Sequence, residues 1–184
     1  MVLTIIVVVL VLALVVYLIA AYNGLIRRRN QVENAWSQID VQLKRRLDLI
    51  PNLVETVKGY AAHERETLDA VISARNAAIE APDTPHDQAE ADGLLTGALR
   101  QVFALGEAYP DLKANENFLA LQEELTATEG RVAYARQFYN DSVLDYNNKL
   151  EQFPTMIFAR MLHFERREYF EADESARTTP TVEF

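Results

Sequence analysis

Residues Tyr22–Ala62, YNGLIRRRNQVENAWSQIDVQLKRRLDLIPNLVETVKGYAA, decide how this chain is read. With Leu25 as heptad position a, that position continues Val32, Ile39, Arg46, Leu53 and Tyr60. Position e reads Trp36, Leu43, Ile50 and Val57. At about 100° per residue the two positions lie side by side on a helix and make one apolar stripe. A strand has no account of a seven-residue period. The same stretch holds the single tryptophan, Trp36, and the densest basic charge in the protein.

Upstream lies Val2–Ala21, almost entirely Val, Leu, Ile and Ala, with no charged side chain before Arg27. Twenty residues at about 1.5 Å each span roughly 30 Å, the thickness of a bilayer's hydrocarbon core. Tyr17 and Tyr22 suit the interface, and Arg27, Arg28 and Arg29 follow in reach of anionic headgroups. A cleaved signal peptide would want positive charge ahead of the apolar run, and none is there. Residues 1–26 are therefore expected to be an uncleaved anchor. The Arg/Lys excess on its C-terminal flank predicts a single pass of the inner (plasma) membrane with the rest of the chain cytoplasmic.

Charge is unevenly placed. The formal net charge is −9, from 18 Lys/Arg and 27 Asp/Glu. Residues 27–58 hold seven of the basic and four of the acidic residues, leaving eleven and twenty-three for 59–184. An acidic distal part argues against nucleic acid as a partner, because phosphate binding needs a cationic face. Cysteine is absent, which removes disulfides, thiolate metal sites and cysteine nucleophiles. Lys44, Arg45 and Arg46 lie about 25 Å beyond the first arginine triplet on a straight helix, outside headgroup reach. They read as a protein-docking or solvated face. Arg46 sits on the apolar stripe itself. The simpler account is a snorkelling stem; the other is a partly buried ion pair with an acidic residue of another helix.

Pro51 keeps the stripe in phase and predicts a bend rather than a stop, with the helix breaking near Gly59 or running on to Glu80. Ala81–Pro85 predicts a loop, 87–108 a helix, and Tyr109–Pro110–Asp111 a turn. Gly93 and Gly97, four apart on that helix, read as close packing. A further helix over 115–151, with Asn115 as N-cap, presents Phe118, Leu125, Val132, Tyr139, Tyr146 and Phe153 on one row and Leu121, Thr128, Ala135 and Ser142 beside it. Pro154 ends it; a short apolar piece, 156–164, and an acidic tail follow. The expected fold is all-α: a transmembrane anchor (1–26), an elongated antiparallel helical bundle (27–153) with coiled-coil-like seams, and a short helix with the tail (154–184). Asn23 and Asn30 recur at seven with Ser37 extending the row; Asn140 and Asn147 do the same. Such a polar row faces either water, the simpler account, or a second interface; with Trp36 these residues are the candidates for an interface that fixes register between helices or subunits.

Catalytic chemistry finds little purchase. His63–Glu64 opens like a zinc-protease helix, but Thr67 stands where the second ligand belongs. His86, near Asp83, and His163 have no partner ligands in sequence. Asp40, Asp48 and Glu55 scatter around the helix. The chain reads as a non-enzyme with no metal and no cofactor.

Several stretches together resemble the LemA family of bacterial membrane proteins: Tyr22–Asn23, Arg29–Asn30, Ala35–Trp36, Ile39 to Arg46, Asp48 to Val54, Val57 to Ala61, Tyr139–Asn140, Tyr146–Asn147, Phe153–Pro154 and Tyr169–Phe170–Glu171. The family pattern carries a glycine where this chain has His163. The resemblance implies a single-pass membrane protein with a helical soluble domain and no established enzymatic activity. Some relatives of this kind are associated with magnetosome membranes and others sit beside a membrane metalloprotease. The combined expectation is a self-associating, homo-oligomeric scaffold or adaptor on the bilayer that organises or remodels membrane. The alternative is a regulatory or sensory partner of another membrane protein.

Overall fold

A computed structural model describes residues 1–171. The expected acidic tail, from residue 172 onward, lies outside the described residues. Among the described residues there are six helices and no strand: α1 (Val2–Lys58), α2 (Arg65–Glu80), α3 (Pro85–Ala108), α4 (Pro110–Lys113), α5 (Glu116–Glu151) and α6 (Thr155–Met161). The protein is all-α with a long N-terminal apolar helix. The described residues divide into two compact units, one of residues 1–37 with 138–167 and one of 38–137 with 168–171.

The second unit is a helical bundle around one apolar core. Ile50, Leu53 and Val57 of α1 meet Leu68 and Val71 of α2, Leu95 and Val102 of α3, and Phe118 and Leu125 of α5. Two pairs show α1 and α5 antiparallel here: Arg45 meets Glu124 at 2.5 Å, and Asn115 Nδ2 donates to Tyr60 Oη at 2.9 Å.

α1 passes through Pro51 without interruption and ends at Lys58, ahead of Gly59. Proline removes the N–H that would reach the Leu47 carbonyl. Arg75 of α2 replaces it, its Nε donating to Leu47 O at 3.1 Å. A carbonyl freed by one residue is thus satisfied by another helix, and the continuation costs less than an orphaned acceptor would.

Two loop expectations are corrected. Pro85 is not loop but the first residue of α3, where a missing N–H is harmless. Thr84 caps it, Oγ1 accepting from Asp87 N at 3.2 Å. Tyr109–Pro110–Asp111 opens a four-residue helix for the same reason. Asn115 caps α5 as expected, its Oδ1 accepting from Phe118 N at 2.9 Å.

The first unit is built differently. Trp36 stacks tilted against Tyr139 with ring centroids 5.5 Å apart, and Arg28 Nε pairs with Asp145 at 2.8 Å. These pairs make α1 and α5 antiparallel here too. Residues 164–167 then run back along this unit. Phe164 packs edge-on against Tyr22 at 6.0 Å, and the Arg29 guanidinium lies over its ring, 6.0 Å from the centroid.

α6 closes in a Schellman turn: Phe164 N donates to Ala159 O at 3.0 Å and His163 N to Arg160 O at 3.3 Å. The residue this turn places in the left-handed region is His163, at φ 54°. Glycine is the usual occupant, because a Cβ is strained there. The glycine that the resemblance implies at this position would adopt this backbone without that strain.

Candidate functional site

Two places concentrate the polar and charged chemistry, one in each unit. The second unit buries an arginine. Arg46 is 2% exposed on the apolar stripe of α1. This corrects the snorkelling account, and it removes Arg46 from any surface that Lys44 and Arg45 offer to a partner. Its Nη1 donates to Asp92 Oδ1 at 2.6 Å, and its Nη2 stands 3.9 Å from Glu129 Oε2. Its Nε is buried with no hydrogen-bond partner. Burial pushes the Asp92 carboxyl above the usual carboxylate range, and the charge of Arg46 only partly offsets this. Arg100 and Arg136 line the same cavity of about 430 Å³.

Gly93 and Gly97 also line that cavity, and a Cβ at either would meet nothing within 4 Å. They are not points of helix contact, as their spacing had suggested. Gly106 is the tight one: a Cβ there would stand 2.9 Å from the Phe118 ring. Lys44 and Arg45 are engaged within the chain, with Asp40 at 3.3 Å and Glu124 at 2.5 Å.

The first unit holds the expected headgroup and register residues. Arg27 is exposed. Arg28 is tied to Asp145, and Arg29 lies 3.8 Å from Glu33. Asn23, Asn30 and Ser37 are exposed, Asn140 is half-buried, and Trp36 is half-buried against Tyr139. Asn147 is buried and spent inside the chain. Its Nδ2 donates to Arg167 O and its Oδ1 accepts from Arg167 N, both at 2.9 Å. Beside it the Tyr146 hydroxyl donates to Glu165 O at 3.0 Å, and burial raises its titration above the ordinary tyrosine range. These two neighbours pin the returning segment by its backbone. The signal available beforehand was the Tyr-Asn pair itself, a phenol on a largely apolar row with an amide directly beside it.

His63 and His86 are exposed, as is His163 in its turn. Among the described residues no group of three His, Asp or Glu is placed to hold a metal ion.

α1 is long and apolar enough to cross a membrane, and its most apolar window is not buried at all. The fold thus defines a helical protein with one candidate membrane span at its N-terminus. The sequence pattern of the LemA family matches residues 35–184, and the chain belongs to that family. Protein LemA of Metamycoplasma hominis is 29% identical over 159 residues, covering 84% of this chain and 71% of the relative. Magnetosome protein MamQ 2 of Paramagnetospirillum magneticum is 25% identical over 197 residues, covering 94% and 72%. Magnetosome protein MamQ of Magnetospirillum gryphiswaldense is 26% identical over 195 residues, covering 92% and 71%.

Proposed function

We propose that this protein is a membrane-anchored, self-associating helical scaffold or adaptor on the cytoplasmic face of the inner membrane. The observation that carries the reading is the junction within α1. One continuous helix passes from an unburied apolar stretch, through Arg27–Arg29, into the packed stripe Val32, Ala35 and Ile39. Such a helix couples whatever its distal part binds to a fixed position at the bilayer. Magnetosome proteins among its relatives support a role at membranes. The exposed row Asn23, Asn30 and Ser37 supplies a polar face for a second copy.

Light scattering of the detergent-solubilised chain tests self-association. The reading expects a mass of more than one chain at micromolar concentration, and a change of mass or register in Asn30→Leu without loss of helix content. A monomer with no crosslinked partner contradicts it. Affinity capture from membranes with Lys44→Glu and Arg45→Glu separates the regulatory alternative. Loss of one defined partner with assembly intact favours an adaptor of another membrane protein; loss of assembly favours the scaffold.

A further inference from the structure

α6 is short, and its outward face is greasy. Phe153 just before it is 76% exposed, Ile157 46%, Met161 72% and Leu162 52%. From Phe153 to His163 the only charged side chain is Arg160. Thr155 and Ala159 supply the buried face instead. A water-soluble unit rarely leaves four large apolar side chains clustered on one turn and its flanks.

Where α6 sits explains the cluster. The Phe158 ring lies 6.5 Å from the Tyr17 ring of α1. Tyr17 stands ten residues before Arg27, roughly 15 Å along the helix axis and inside the apolar stretch. Between the two helices lies a cleft of about 360 Å³, walled by Leu18, Tyr22 and Leu25 on one side and Phe158, Met161 and Leu162 on the other. α6 therefore shares the depth of the last turns of the apolar helix. Arg160 has a stem long enough to carry its charge back to the headgroups.

We propose that α6 is a second membrane contact: it lies in the boundary between headgroups and acyl chains, with Phe153, Ile157, Met161 and Leu162 in lipid and an acyl chain filling the cleft against α1. The inference rests on the reading of residues 1–26 as an anchor. It gives the protein two points of hold on one leaflet. A second hold restricts swinging and rotation about α1, which a lone span leaves free. It also makes binding sensitive to lipid packing at the surface, as for other interfacial helices.

The chain has no cysteine, so single substitutions place one probe each. Full-length Leu12→Cys, Tyr134→Cys, Ile157→Cys and Met161→Cys, all at exposed positions, are labelled with a nitroxide and reconstituted in vesicles of phosphatidylcholine with phosphatidylglycerol. Electron paramagnetic resonance then compares collision with oxygen, which concentrates in lipid, and with a water-soluble nickel chelate. Ratios at 157 and 161 several-fold above that at 134, and approaching that at 12, are expected. Ratios at 157 and 161 equal to that at 134, with 12 still in lipid, overturn the inference and leave the anchor standing. Shielding of 157 and 161 from both collision partners also overturns it, because protein rather than lipid then covers the face. An aqueous ratio at 12 overturns the anchor, and the inference with it.

Discussion

Both units bury an apolar row, Leu25, Val32 and Val143 in one and Ile50, Leu53 and Val57 in the other, but only the first also leaves a long run of large apolar side chains outward. In the unit of residues 38–137, Ile50, Val57, Leu95, Val102, Phe118 and Leu125 turn inward and meet one another. In the unit of residues 1–37 and 138–167, the large apolar side chains from Met1 to Ile19, and again at Phe153, Ile157, Met161 and Leu162, turn outward. The polar groups differ as well. The first arrangement buries a charged arginine; the second buries an amide and a phenol that hold a backbone segment. The contrast teaches that one sequence is written for two solvents. Where water surrounds the chain, apolar contact with itself is the driving term. Where lipid does, that term vanishes, and an apolar stretch such as the first part of α1 can stay outward.

The sharpest way to break this contrast is at Arg46. Losing one partner of a buried ion pair costs about 3–5 kcal/mol because a charge is left bare. Asp92 can take up a proton and arginine cannot. Asp92→Ala is therefore expected to cost more than Arg46→Met in urea unfolding of the solubilised chain. The pH dependence follows from the raised Asp92 titration. Where the folded state holds a proton that the unfolded state has lost, stability falls as pH rises from the ordinary carboxyl value of 3.8 through the raised one. Arg46→Met removes the offsetting charge, so its stability should recover on acidification more than the parent's does. Equal costs and parallel pH profiles would remove the charge from the account.

Gly106→Ala probes packing in the same unit. A Cβ 2.9 Å from the Phe118 ring forces the ring to move, and overpacking of this kind costs about 1–3 kcal/mol. Gly97→Ala, with open space, is the matched control and should be neutral or slightly stabilising.

In the other unit, Asn147→Ala removes both hydrogen bonds to Arg167. A loss of about 1–2 kcal/mol is expected, because the freed backbone groups can turn to water. Amide exchange should quicken at Arg167 while the core amides of the 38–137 unit keep their protection. Uniform quickening would mean that the two regions do not differ in what holds them.

The smallest effect has the opposite sign. His163→Gly relieves a left-handed backbone at φ 54° and should raise the melting temperature, by about 1 kcal/mol of stability or less. Destabilisation would show that the imidazole makes a contact worth more than the strain.

Much of this architecture is written in the period of the sequence. Leu25, Val32, Ile39, Arg46 and Leu53 are all buried, as are Phe118, Leu125, Val132, Tyr139 and Tyr146. Each row fails at its last member. Tyr60 and Phe153 are exposed because α1 ends at Lys58 and α5 at Glu151, before either side chain can join its stripe. Periodicity reports a face but not where the helix stops. Partners distant in sequence stayed hidden for a related reason. Nothing about Arg46 names Asp92, 46 positions on, since any of many acids satisfies the same rule. Pro51 could be read as a bend, yet the donor that makes the continuation tolerable, Arg75, lies on another helix. Asn147 was legible as an amide at a special place, while its mate is a backbone in an irregular segment with no pattern to follow.

The central claim is that the unburied stretch of α1 lives in lipid. Flotation of the full-length chain through a density gradient with native membranes, after an alkaline carbonate wash, tests it most directly. The account predicts that the protein rises with the membranes and leaves them only in detergent. Recovery from the dense, lipid-free fractions after the wash would contradict it.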